Sequence, residues 1–174
     1  MSDLMPFSRV KARVGAVVFC GGDVALIRRD RPSGSHYTLP GGNVETGEDM
    51  LGALRRELAE ELHLEAGQAT EPELCWIQDQ MVTRPGPTPP PRKIHLIFRC
   101  HLSLGVRATL ATIEYDEVPG GHEPGAIEWV NYRTTAELPL FPLVGGVLSA
   151  LAHPEASAGN PWVAPITDAT YTWI

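Results

Sequence analysis

The segment Gly41 to Leu64, GGNVETGEDMLGALRRELAEELHL, carries more chemistry than any other part of this 174-residue chain. Leu51, Leu54, Leu58 and Leu62 recur at helical spacing and form one apolar stripe. The pattern predicts a helix from about Gly47 to Leu62. Thr46 is the expected cap, with Asp49 three residues on completing a capping box. Glu57 and Glu61 are four residues apart and Glu57 and Glu60 three, so all three carboxylates lie near one helix face. Like charges at that spacing repel by a few tenths of a kcal/mol per pair, and a hard divalent cation turns the repulsion into binding. A solvated charged face is the competing reading of such a run. The Pro40-Gly41-Gly42 turn tips the balance toward a site: it offers backbone carbonyls as further ligands, and a helix start offers N–H groups to phosphate.

Outward from the helix, Arg13 to Cys20 is almost wholly apolar and predicts a strand buried on both faces. Gly21-Gly22-Asp23 and Val24 to Ile27 make it one arm of a hairpin. Asp30 to His36 is expected to be a loop. On the C-terminal side, Leu74 to Val82 and Lys93 to Leu102 read as strands, the second from the alternation of Ile94, Leu96, Phe98, Cys100 and Leu102 with His95, Arg99 and His101. Arg84 to Arg92, RPGPTPPPR, cannot supply ladder hydrogen bonds and is a stiff excursion. Val118 to Gly125 reads as a glycine-rich loop, Ala126 to Val130 as a strand, and Leu143 to Ala152 as a last helix weakened by Gly145 and Gly146. The expected organisation is an N-terminal arm over 1–9, one domain over 10–153, and a Pro- and Ala-rich tail over 154–174. The fold class is α+β, a mixed sheet with helices on its faces.

Composition narrows the function. A net charge of −7 speaks against a nucleic-acid polymer as partner but leaves a small anionic substrate open, because a metal ion brings positive charge. Cys20, Cys75 and Cys100 are far apart, without a CxxC pair, so neither a zinc knuckle nor a redox motif is expected. Cys20 and Cys100 read as buried thiols. An odd cysteine count with no export pattern before Val10 favours a cytoplasmic location. No apolar run is long enough to span a membrane.

The quoted segment closely resembles the signature of the Nudix hydrolases: Gly, five residues, Glu, seven residues, then Arg-Glu-apolar-any-Glu-Glu-any-Gly-apolar. Gly42, Glu48, Arg56, Glu57, Leu58, Glu60, Glu61 and Leu64 fall in register. Tyr37-Thr38-Leu39-Pro40 resembles the family's lead-in, and Glu128-Trp129-Val130 its late strand, so the likeness runs from about Val14 to Leu151. The one departure is His63 in place of glycine. That position ends the helix in a left-handed conformation, which costs a side chain on the order of 1 kcal/mol and histidine less than most.

The resemblance implies an αβα sandwich with the signature as a loop-helix-loop. It also implies Mg²⁺ as cofactor, with Mn²⁺ as a substitute, held by Glu60, Glu61 and the carbonyl of Gly42. Glu57 would bind metal or orient the attacking water, and Glu48 and Arg56 would fasten loop to helix. A further carboxylate from a distant loop is matched best by Glu123, with Asp116, Glu114 and Glu117 as rivals. Arg28, Arg29 and Gly41 are candidate substrate contacts, surface salt bridging being the alternative for the arginines. His95 and His101 read as sheet histidines satisfied by neighbours. The implied reaction is hydrolysis of a diphosphate linkage in a nucleoside diphosphate joined to some group X, with nucleoside triphosphates, nucleotide sugars or ADP-ribose, and dinucleoside polyphosphates in competition. Asp79 stands where some ADP-ribose enzymes of the family carry proline, which weakens that branch. Two other functions compete: a nucleotide-binding module without catalysis, and an isoprenoid diphosphate isomerase. Homodimers are common in the family.

Overall fold

The computed structural model describes residues 9–172; the expected N-terminal arm, apart from Arg9, and Trp173 lie outside them. Ten strands, three helices and a 3-10 turn make up the described fold, in the order β1 Val10–Cys20, β2 Asp23–Arg31, β3 Gly34–Thr38, β4 Gly41–Asn43, α1 Met50–Leu62, β5 Glu73–Met81, β6 Arg92–His101, α2 Leu104–Arg107, β7 Ile113–Val118, β8 Gly121–Asn131, the 3-10 turn Tyr132–Glu137, β9 Leu140–Phe141, α3 Gly145–Ser149 and β10 Ile166–Thr167. The sheet runs β10-β5-β6-β1-β2-β3-β9, with β4 on β1, β8 on β2 and β7 on β8. It is mixed: β1 lies parallel to β6 and antiparallel to β2.

The hairpin turn forms at Gly21-Gly22, where Gly21 takes φ +60°, and Phe19 faces Val24. Beyond that turn β1 and β2 part company, since their pairing is confined to Phe19–Val24 and Cys20–Asp23. The chain after β2 spans the gap: β3 stays on β2, while β4 crosses to β1, opposing Gly41 to Gly15 and Gly42 to Val14. Gly41 sits at φ +148°, and a Cβ there would stand 2.1 Å from the Val14 carbonyl oxygen. Only glycine permits that crossing.

Two cores lie on the two faces. On one, Ala53, Leu54, Leu58 and Leu62 of α1 pack on Val14, Ala16, Val18, Ala25 and Phe98. Each buried leucine contributes roughly 2 kcal/mol of hydrophobic stabilisation. On the other, Val17, Phe19, Leu26, Trp76 and Ile97 pack under Tyr132, Leu140, Val144 and Leu148. The result is the expected layered α+β sandwich.

Several expectations need correction. Helix α1 begins at Met50, three residues late, because Gly47 at φ +87° breaks the helix path; Asp49 is itself the cap, accepting from Gly52 N–H at 2.6 Å. Leu51 leaves the stripe for solvent, and Ala53 takes its place. The supposed loop Asp30 to His36 shrinks to a turn at Pro32-Ser33 between β2 and β3, and Val118 to Gly125 is mostly strand, folding back over Pro119-Gly120 as the β7–β8 hairpin. The last helix is only five residues long, and Gly145 is there for space: a Cβ would lie 2.3 Å from Thr135 O. Residues 154–172 lie against the sheet: β10 pairs with β5, Trp162 bridges to Ile77, and Ile166 is wholly buried.

Candidate active site

Helix α1 carries the signature acids to the gap bridged by β4. Its C-terminal end is fixed by His63, left-handed at φ 58° as expected, with His63 N–H donating to Ala59 O and Leu64 N–H to Leu58 O. The loop before the helix is fixed by one side chain. Arg56 donates from Nε and Nη2 to the Glu48 carboxylate at 3.1 and 2.7 Å and from Nη2 to Asn43 O at 3.0 Å. Glu48 in turn accepts from Glu45 N–H at 2.8 Å. These bonds hold the Glu48 carboxyl below its ordinary range, the Arg56 guanidinium acting most strongly.

The three helix acids differ in setting. Glu61 accepts from Gly41 N–H at 2.8 Å. Burial pushes its carboxyl up to about 8, with the Glu57 charge adding to the rise and the Gly41 N–H opposing it. Glu57 is pushed up too, by burial first, although Arg56 Nη1 donates to it at 2.9 Å. Glu60 is exposed and stands 3.4 Å from the same Arg56 nitrogen. Gly42 lies hard against Glu57: a Cβ at that position would be 2.1 Å from Glu57 Oε1.

Glu61 and Gly41 line a cavity of about 550 Å³. Arg13, Arg29, Arg31 and Lys93 bring positive charge to it, and Tyr37, Phe141 and Tyr171 bring aromatic surface. Phe141 and Tyr171 contact each other with ring centres 5.0 Å apart. Arg29 is nearly buried and ion-paired to the buried Glu114, yet its Nε has no hydrogen-bond acceptor among the described residues, Glu123 Oε2 standing 3.8 Å off. Arg29 lines the cavity as a residue, and a guanidinium there is suited to an anion.

The other sequence candidates separate. Arg28 lies outside this cavity, bonded to Glu128 at 3.0 Å and Asp30 at 2.9 Å. Glu123 also lies outside the lining, bonded to Arg31 at 2.8 Å, whereas its rival Asp116 lines the cavity with Glu61. Glu114 is committed to Arg29, and Glu117 lies opposite His122 in the hairpin. His95 is buried against Gln80 Oε1 at 2.6 Å, and burial drives it down to about 3. His101 is half-buried and stacks on Phe19 with ring centres 5.2 Å apart. Sequence reasoning missed Arg13, Lys93, Phe141 and Tyr171. Arg13 had left one signal, a lone cation at the head of an apolar strand.

Among the described residues, no three His, Cys, Asp or Glu side chains are gathered as a metal site. The residues nonetheless fit a hard divalent cation. The donors are carboxylate and carbonyl oxygens, Glu57 shares its one arginine, Arg56, with Glu48 and Glu60, Glu61 has no ion pair among the described residues, and Gly42 leaves the Glu57 oxygen a cradle that a Cβ would fill.

A family model described as "NUDIX domain" matches residues 10–144. The chain belongs to the Nudix family. Its class is thus that of the Nudix pyrophosphohydrolases, which act on diphosphates linked to nucleotides. Solved structures agree on the fold. A MutT protein from Bacillus halodurans superposes with TM-score 0.59 at 17% identity, over 92% of this chain and 93% of that one. A Nudix hydrolase from Nitrosomonas europaea gives 0.57 at 16%, over 92% and 81%. The Ap4A hydrolase of C. elegans gives 0.53 at 18%, over 79% and 92%. No curated protein sequence matches the chain. No helix among the described residues is long and apolar enough to cross a membrane.

Proposed function

We propose that this Nudix protein hydrolyses the diphosphate linkage of a nucleoside diphosphate joined to a further group, with Mg²⁺ as cofactor and Mn²⁺ as a substitute. Glu57, Glu60, Glu61 and the Gly42 carbonyl would hold the ion, and Asp116 is better placed than Glu123 to join them from the far hairpin. When bound, such an ion offsets phosphate charge and makes a bound water more acidic. The observation that carries the reading is the meeting of opposites in one cavity: the part-buried Glu61 carboxyl and the guanidinium groups of Arg13 and Arg29 line the same hollow.

The chain's own residues divide the work. Arg29 and Arg13 present guanidinium groups to phosphate oxygens, which substrate binding needs in a chain of net charge −7. Glu57, close to the Gly42 backbone, accepts a proton from or orients the attacking water. Glu48 and Arg56 keep loop and helix in register without touching substrate. Tyr37, Phe141 and Tyr171 give aromatic surface for a base. Water adds across the P–O–P bond, leaving two phosphate-bearing fragments and no enzyme intermediate.

The test is product release from nucleoside triphosphates, ADP-ribose, nucleotide sugars and dinucleoside polyphosphates with Mg²⁺, beside a Glu61→Gln variant. Turnover of one class, lost by about 10³-fold in the variant, is expected. Tight nucleotide binding with no turnover in the unmodified protein would replace this reading with a binding module.

A further inference from the structure

A second hollow adjoins the first. Arg9, Lys11, Arg84, Lys93, Thr88, Pro89 and Pro91 line a groove of about 490 Å³, and Lys93 belongs to both hollows. Four of its seven lining residues are cations and none is acidic or aromatic. Arg9, Lys11 and Arg84 have no ion pair among the described residues. In a chain of net charge −7 this gathering runs against the overall balance.

Strand alternation produces it. Arg9, Lys11 and Arg13 occupy every second position and so share one face of the β1 strand and its lead-in. The backbone between Arg9 and Arg13 covers about 13 Å. The parallel pairing of β1 and β6 then sets Lys11 directly opposite Lys93. Like charges opposed across strands destabilise a sheet. Lys93 is pushed down to about 8, by burial first and then by Arg13, Lys11 and Arg84. The proline segment after Val82 forms the outer bank and brings Arg84 to the groove.

Resting on the reading of the catalytic cavity given above, we propose that this groove is a second anion subsite, joined to that cavity through Lys93, which holds further phosphates of the substrate beyond the diphosphate that is cleaved. The enzyme then prefers long phosphate chains, as in dinucleoside polyphosphates, over substrates that end at two phosphates. The absence of aromatic lining makes the groove a place for phosphate rather than for a base.

The experiment compares the full chain with a Lys11→Gln/Arg84→Gln double variant; neither residue is part of the catalytic machinery, and a thermal melt checks that the variant folds. Inorganic tripolyphosphate and pyrophosphate are titrated calorimetrically without divalent metal, so that no turnover is needed. Tripolyphosphate should bind the variant about tenfold more weakly while pyrophosphate is unchanged, and the difference should shrink at high salt. The charge-keeping Lys11→Arg/Arg84→Lys variant should restore binding. In turnover, KM for a dinucleoside tetraphosphate should rise about tenfold with kcat kept. Equal weakening for both chain lengths, or none, would overturn the subsite. A length-dependent loss of binding in a protein that turns over nothing would instead keep the subsite and sink the catalytic reading.

Discussion

The two faces of the sheet are built in different ways. On the α1 face, Leu54, Leu58 and Leu62 come from one continuous helix and seat the acids by local spacing. On the opposite face, the cavity wall is assembled from Leu138–Leu143, Thr170–Thr172 and strand residues such as Arg13 and His95, far apart in the chain. The first face supplies the acids. The second shapes what can enter, and part of it comes from residues beyond 144, where the family match ends. On the proposed reading, chemistry and selectivity would be carried by separable halves of one sheet.

That division can be broken in a definite order. The largest effect should come from Glu57→Gln on the α1 side. Turnover should fall by about 10³-fold, near 4 kcal/mol, with the melting temperature held or raised, since a half-buried acid is neutralised. Loss of both activity and fold would show that the acid is structural. Next come paired truncations, Leu54→Ala and Ile166→Ala. Both side chains are wholly buried, and each should cost about 3 kcal/mol in denaturant unfolding. A loss below about 0.5 kcal/mol at Ile166 would mean that the 154–172 segment is only loosely attached.

A pH-dependent effect belongs to the cavity side. His95 is held neutral, with its folded value lowered to about 3, whereas the unfolded chain protonates it near the ordinary 6.5. Between those values the unfolded state binds more protons. Stability contributed by this group is therefore present above pH 6.5 and lost as pH falls toward 3, by at most ~1.4 kcal/mol per pH unit. A His95→Gln variant should show a shallower acid slope in urea melts across that range; an unchanged slope would assign the acid sensitivity elsewhere. The smallest effect should be His63→Gly, which relieves a left-handed side chain and raises stability by about 1 kcal/mol without altering turnover.

The same contrast explains what could be read from the sequence. Helix α1, its left-handed end and the first hairpin depend on neighbours a few residues away, so periodicity and glycines reveal them. Asp49 displaced Thr46 as cap only because Gly47 turns the chain, a conformational preference that a capping pattern does not express. The β7–β8 hairpin was hidden because its glycines resemble a loop, while its partner β2 lies about a hundred residues away. Lys93 and Arg13 looked like ordinary strand cations until the parallel β1–β6 register brought Lys11 opposite Lys93 and Arg13 opposite His95. Glu123 and Asp116 face each other across one hairpin. The Arg31 bond to Glu123 and the place of Asp116 on the cavity lining separate them, and no spacing rule foretells either.

Gln78 has a bearing on motion. Its buried side-chain nitrogen donates to Leu143 O at 3.1 Å and to Ala164 O at 2.9 Å. One amide group thus buckles the stretch ending at Leu143 to the stretch leading to Tyr171, the two that carry the aromatic wall. Neither can swing outward alone without stranding a donor in the interior. Opening of the cavity mouth should therefore be concerted, with amide exchange on the two flanks running at a common rate.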